Sequence, residues 1–157
     1  MCSSDLPPVR IIAAGRVFRP GVLQEDRIRL RVYHQLDVLC IEPGVDLETM
    51  KATFARAAHA AVGSIEIRWE RLDGEFTFTL QSHHASMKIS NGWLEIAGSG
   101  MIHPDLLKKA GFDPNIVSGF GFGLGLERLA MAKLRINDIR DLWRQPYLTV
   151  CQTPTNC

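Results

Sequence analysis

Apolar and polar positions alternate with a period of two along much of this chain, and the alternation gives way to a helical period at a few defined places. Residues Val9 to Phe18, VRIIAAGRVF, read as a strand interrupted at Gly15 and closing on Arg19. Pro20 to Asp26 carry proline, glycine and charge, the composition of a loop. Alternation and β-branched content predict a long strand from Arg27 to Ile41, so Arg19 and positions 33 to 37 fall on two arms of an antiparallel hairpin. Pro43-Gly44 turns the chain. Asp46 then caps a helix whose apolar stripe is Leu47, Met50, Phe54, Ala57, Ala58 and Ala61, and Gly63 ends it.

The second half repeats the pattern. Ser64 to Trp69 alternates as a strand, Leu72 to Glu75 is a turn, and Phe76 to Leu80 alternates again. Asn91-Gly92 marks a tight turn before a strand from Trp93 to Ala97, which ends at a Gly-Ser-Gly bend. Pro104 to Ala110 is a short helix stopped by Gly111. A glycine-rich strand and a last main helix, from about Gly123 to Leu134, complete the series. Hairpin-linked strands with helices to one side predict an α+β fold built on an antiparallel sheet.

The glycine-rich strand is the most unusual segment. In GFGFGLGLER, Gly119, Gly121, Gly123 and Gly125 alternate with Phe120, Phe122, Leu124 and Leu126, and the run ends at Arg128. Large apolar side chains therefore share one face and bare backbone forms the other. Such a face suits either tight packing under a helix or the close approach of a flat or anionic ligand, with a guanidinium where it ends. In RVYHQLDVLC, Tyr33, Gln35 and Asp37 share one face and His34, Leu36, Val38 and Cys40 the other. A row of ring, amide and carboxylate is a poor core, and is either solvated or a site.

Other candidates are less defined. Phe76 and Phe78 share a face and belong either to the core or to an aromatic pocket. Glu95 is an exposed structural carboxylate or a metal ligand. His83 and His84 are adjacent, hence on opposite faces of a strand, and do not suggest a shared metal. His103, before Pro104, reads as structural.

Composition sets the frame without naming a ligand. The chain has 157 residues, 46% apolar and 22% charged, with net charge +1. That is one domain's worth of chain without an overall basic footprint for nucleic acid. No apolar run reaches the roughly 18 residues of a membrane-spanning helix, and no charged leader precedes an apolar stretch, so a cytoplasmic protein is expected. Cys2, Cys40, Cys151 and Cys157 lack metal-site spacing and read as free thiols. Residues 1–6 look unrelated to the rest of the chain and resemble a translated sequencing adaptor, and 148–157 reads as a tail that is polar and frayed from about Cys151.

Taken together, Trp93-Leu94-Glu95, Gly100-Met101-Ile102-His103-Pro104 and Ser118-Gly119-Phe120-Gly121-Phe122-Gly123 resemble motif 3 (about 118–134) of the class II aminoacyl-tRNA synthetases, in the form found in the α chain of bacterial-type phenylalanyl-tRNA synthetases. Gly15-Arg16-Val17-Phe18-Arg19, followed by Tyr33-His34-Gln35 and Asp37, resembles motif 2 (about 15–41) of the same family. The resemblance runs from about Pro7 to Tyr147 and implies the C-terminal part of a catalytic domain, without motif 1. It implies ATP and magnesium as substrate and cofactor. It also implies phenylalanine, tRNA and a β chain in an α2β2 tetramer as partners.

Carried over residue by residue, Arg19 would contact the ATP α-phosphate and the amino-acid carboxylate, and Tyr33 and Arg128 would sandwich adenine. Arg19 and Arg128 would be the catalytic residues, acting by positioning and charge neutralisation. Gln35 and Asp37 would hold the amino group. Phe76, Phe78, Gly119 and Gly121 would form the amino-acid pocket. Gly125 would line the ATP site, and Glu95 would hold the metal.

This sequence departs from the family pattern at several points. Leu80-Gln81 replaces Glu-Pro, Arg29 replaces a histidine, Asp37 is shorter than the usual glutamate, and the acid usual shortly after Arg19 is Val22 or displaced. Gly121 stands where alanine is usual, which widens the pocket floor by one methyl group. The resemblance leaves open two other readings: a nucleotide-binding module without ligase activity, and a paralogue that charges a non-tRNA acceptor.

Overall fold

In the computed structural model, residues 8–21, 24–72, 78–90 and 92–144 are described. Phe76, the turn expected over 72–75 beyond Leu72, Val22, residues 1–6 and the tail from 148 lie outside them. The architecture is α+β. Among the described residues, six strands, β1 (Val9–Phe18), β2 (Val32–Glu42), β3 (Ile67–Leu72), β4 (Thr79–Ile89), β5 (Gly92–Ile102) and β6 (Ser118–Gly125), form one sheet in the order β1-β2-β6-β5-β4-β3. Every neighbouring pair is antiparallel.

The hairpin β1–β2 forms as the alternation requires, with Val17 opposite Tyr33 and the Arg19 amide donating to the Arg31 carbonyl at 2.9 Å. Gly15 does not interrupt β1, because it pairs with Gln35 in continuous register. β2 starts at Val32 rather than Arg27. Residues 26–29 instead close a turn, in which the Asp26 amide donates to Arg29 O at 3.1 Å and Asp26 Oδ1 accepts from the Ile28 amide at 2.9 Å.

Helix α1 (Leu47–Val62) begins where Asp46 accepts from the Thr49 amide at 2.8 Å and ends at Gly63, whose φ of 90° suits only glycine. Its Met50, Phe54 and Ala58 are fully buried against the large side chains of β6. Phe54 meets Phe122 edge to face at 5.4 Å and Trp69 at 5.0 Å, contacts worth about 0.5–1.5 kcal/mol each beyond their area. Helix α3 (Leu126–Leu134) packs beside α1 and buries Leu129 and Met131. It starts three residues later than the sequence pattern suggests, because Gly123 to Gly125 still pair with β2.

Not all helices lie to one side. Helix α2 (Pro104–Lys109) places Leu107 with Ile41, Val117, Leu39 and Ile102, a separate apolar cluster at the far end of the opposite face. Gly119 sits under this cluster, since a Cβ there would lie 2.8 Å from both Cys40 O and Ile102 Cδ1. The Gly-Ser-Gly bend is absent: Gly98, Ser99 and Gly100 continue β5 and pair with Gly123, Phe122 and Gly121. The irregularity lies earlier. Ser86 pairs with Glu95 and Ala85 with Ala97, so Ile96 is an extra residue in a bulge.

β4 is much longer than its alternation suggests, and it carries His83 on the core side and His84 on the other. His83 is 6% exposed, and its Nδ1 has no hydrogen-bond partner among the described residues. Burial lowers its pKa below the usual 6.5, with Lys51 and Arg71 pushing the same way. Between the lowered folded value and 6.5 the unfolded chain binds the proton and the folded chain does not. The stability contributed by neutral His83 is therefore fully present above about pH 6.5 and is lost as pH falls through the folded value. We predict that melting temperature falls between about pH 7 and pH 5 and that His83→Leu flattens this dependence. An unchanged slope in the variant would show that another group titrates.

Candidate functional site

The face of the sheet opposite α1 holds a cavity of about 720 Å³. Its floor is the bare side of β6, with Gly121, Gly123 and Gly125 lining it. One wall is the β2 row. Tyr33 Oη donates to Gln35 Oε1 at 3.4 Å and Gln35 Nε2 to Asp37 Oδ1 at 2.6 Å, so ring, amide and carboxylate form one hydrogen-bonded line. The register explains the closeness. Gly123 lies opposite Asp37, and a Cβ there would overlap the Gln35 amide and sit 2.9 Å from Asp37 Oδ1. At Gly121 the nearest atom to an added Cβ is Val38 O at 3.4 Å, and at Gly125 it is Ile96 O at 3.7 Å, so neither glycine is demanded by packing.

Arg19, carried just past the end of β1, places its guanidinium 4.8 Å from the Tyr33 ring centroid. Arg128 enters from the first turn of α3. Its Nε donates to Ile28 O at 3.0 Å and its Nη1 to Glu95 O at 2.7 Å, with Glu95 Oε1 at 3.3 Å. These bonds join α3, β5 and the turn before β2 at one guanidinium. Burial depresses the Arg128 pKa; Glu95 opposes that shift, whereas Arg19 and Arg29 add to it. An arginine stays charged under any such shift. Arg19, Arg29 and Arg128 line the cavity together with Asp37, Glu95 and Glu127, so it presents both cationic and anionic groups.

Glu95 lies on the cavity side of β5 because of the bulge that comes after it. Its Oε2 is 3.7 Å from His84 Nδ1, and its other oxygen faces Arg128. Phe78 lines the cavity from the turn before β4, is 56% exposed, and accepts from the His103 amide through its carbonyl at 3.0 Å. It is not in a strand, as the alternation predicts, since β4 starts at Thr79. His103 caps α2, its Nδ1 accepting from the Asp105 amide at 3.2 Å, in keeping with a structural role.

The geometry thus gathers Arg19, Tyr33, Gln35, Asp37, Phe78, Glu95, Gly121, Gly125 and Arg128 around one cavity. Gly119 is separate, under the α2 cluster. Sequence reasoning missed three contributors. His84 lines the cavity, and only the correct length of β4 reveals this. Ile139, 2% exposed, donates its amide to Arg27 O at 2.9 Å and holds the turn that receives Arg128. Glu127 is buried against His34, although the sequence marks it only as the neighbour of Arg128.

The antiparallel sheet thus carries a glycine-floored cavity with two arginines, one of them in the first turn of α3. A profile of the family described as tRNA synthetases class II core domain (F) matches residues 1–152. The chain belongs to the class II aminoacyl-tRNA synthetase core-domain family. It is 36% identical over 137 residues to a protein of Nostoc punctiforme, covering 87% of this chain and 40% of that protein. It is 38% identical over 138 residues to one of Rhodopirellula baltica, covering 87% and 39%. With one of Neisseria meningitidis serogroup A it shares 38% over 141 residues, covering 89% and 42%. All three relatives bear the name phenylalanine-tRNA ligase alpha subunit. The chain spans about 40% of the length of these curated relatives. No helix among the described residues is long and apolar enough to cross a membrane.

Gly123→Ala tests the floor. The chain should fold but lose about 1–3 kcal/mol of stability, because the new methyl group must displace the Gln35 amide. Gly125→Ala, with ordinary contacts, should cost less in the same denaturant titration. Equal costs would mean that the Gln35–Asp37 line does not fill the space over position 123.

Proposed function

We propose that this chain is the C-terminal part of a phenylalanine-tRNA ligase catalytic core, which activates phenylalanine with ATP and passes it to tRNA. The observation that carries this reading is the hydrogen-bonded line Tyr33–Gln35–Asp37 facing the bare strand β6 inside a cavity of about 720 Å³. That volume lies within the range of small-molecule sites. The partial catalytic domain extends over about 7–147 in this reading.

Adenine enters between Tyr33 and Arg128, close to Gly125. Arg19 leaves the Tyr33 ring for the α-phosphate and the substrate carboxylate. This exchanges a cation–π contact of about 0.5–1 kcal/mol for charge-assisted hydrogen bonds of about 1.5–3 kcal/mol, so the displacement is favourable. Gln35 and Asp37 accept the ammonium of the amino acid, whose ring lies over Gly121 and toward Phe78. No side chain acts as a nucleophile. The substrate carboxylate attacks the α-phosphorus in line, pyrophosphate leaves, and Arg19 and Arg128 neutralise the developing charge.

Magnesium fits this site as a one-carboxylate ion. Glu95 is the acid on the cavity side of β5, and among the described residues no cluster of three or more metal-ligating side chains occurs. One carboxylate plus phosphate oxygens suffices for this ion, which would supply further neutralisation of the phosphates. Glu95 would hold it while keeping its backbone carbonyl on Arg128. The relatives' name, alpha subunit, supports a second kind of chain. We propose a β chain, an α2β2 assembly and a cytoplasmic location.

The test is phenylalanine-dependent pyrophosphate exchange on this chain, alone and with a phenylalanine-tRNA ligase β chain. Exchange is expected only with the β chain, whereas ATP should bind in both cases. Binding of ATP without exchange under either condition would favour a nucleotide-binding module. Position 121 gives a sharper prediction. One missing methyl group is worth about 1–3 kcal/mol of discrimination. Para-chlorophenylalanine should therefore be accepted by the natural chain and be about 10-fold or more disfavoured by Gly121→Ala, as read by kcat/KM in exchange or by competitive binding. Equal discrimination by both proteins would remove Gly121 from the amino-acid pocket.

A further inference from the structure

The β2–β6 ladder ends at the pair Gln35–Gly125, because the chain turns into α3 at Leu126. The amide of His34, next along β2, therefore has no strand opposite it on that side. Glu127 takes the place of the missing strand. Its two carboxylate oxygens accept from the His34 amide at 2.9 and 3.1 Å, and Oε1 also lies 2.8 Å from His34 Nδ1. The Glu127 side chain is 6% exposed, so these bonds form where water competes little. A backbone carbonyl in the same place would fix only the His34 amide. The carboxylate holds both the backbone and the ring of one residue.

Glu127 precedes Arg128, and His34 comes directly after Tyr33. The two walls of the base site are thus set by adjacent anchors. Arg128 is tied to Ile28 O and Glu95 O, and Tyr33 is tied through its neighbour to α3. We propose that Glu127 and His34 are a positioning pair that sets the gap between the Tyr33 ring and the Arg128 guanidinium, and so the affinity for the adenine base. This rests on the nucleotide-binding reading of the cavity, although neither residue touches the nucleotide.

The experiment uses the full chain with three substitutions. His34→Ala removes the ring donor. His34→Asn replaces it, because the asparagine amide nitrogen stands where Nδ1 does. Glu127→Gln sets an amide against the His34 donors. ATP affinity by calorimetry should fall about tenfold in His34→Ala, stay within about threefold of the natural chain in His34→Asn, and fall most in Glu127→Gln. The Gln35 side-chain amide resonance, read without nucleotide, should move in His34→Ala and return in His34→Asn, since that amide is bonded to Asp37 beside the pair.

Equal ATP affinity in all four proteins, or equal loss in both His34 variants, would overturn the proposal. If Glu127→Gln does not fold, the two His34 variants decide alone. If the natural chain binds no ATP, the nucleotide reading fails, and the Gln35 resonance still decides the pair. A resonance unmoved in His34→Ala would refute it.

Discussion

The space above position 123 is the constraint on which the rest of the site depends. The Gln35–Asp37 hydrogen bond occupies the volume that a side chain would need there. Two antiparallel strands can thus present functional groups from one and bare backbone from the other at the same level. Large residues are confined to the opposite face of β6, where Phe120, Phe122 and Leu124 are nearly fully buried under α1. One strand is therefore both the centre of the core and the floor of the site. Stability and binding cannot be varied independently along it.

The site's charges are also partners in its architecture. Arg128 joins α3, the turn at Ile28 and β5, and it is held mostly by carbonyl oxygens rather than by a carboxylate. Its one carboxylate partner, Glu95 Oε1, lies at 3.3 Å, a looser pairing than a bidentate fork. Arg140 shows the contrast. It closes on Asp138 at 2.5 and 2.8 Å and holds that carboxyl far below its usual range. The first arrangement ties three elements together at the cavity, whereas the second closes a local turn.

How legible this was in the sequence depends on side-chain size. The helix from Asp46 to Gly63 and the two faces of β2 and β6 were readable, because capping residues and clean alternation mark them. β4 was largely hidden, since Ser82, His83, His84, Ala85 and Ser86 show no contrast between faces although four of them are buried. The bulge at Ile96 shifts the parity of β5, so Ala97 faces the core although counting by twos from Glu95 puts it in the site. Glycines 98 and 100 looked like a bend and are instead strand residues facing the glycines of β6. The role of Glu127 was invisible for another reason. It depends on where one ladder stops, and no local pattern reports that.

Among the described residues β1 pairs only with β2, Val9 reaches the cluster around Leu107, and its other side chains are almost all exposed, with Ile12 72% and Phe18 69% accessible. Backbone bonds to one neighbour and the Arg10–Glu42 pair are most of what orders it. Segments with so little burial open at low free-energy cost. Arg19, whose guanidinium lies over the Tyr33 ring, is carried at the end of this strand. The conformational entropy lost when a ligand fixes it falls on the least buried element of the sheet, so covering that edge would strengthen binding without any new contact to the ligand.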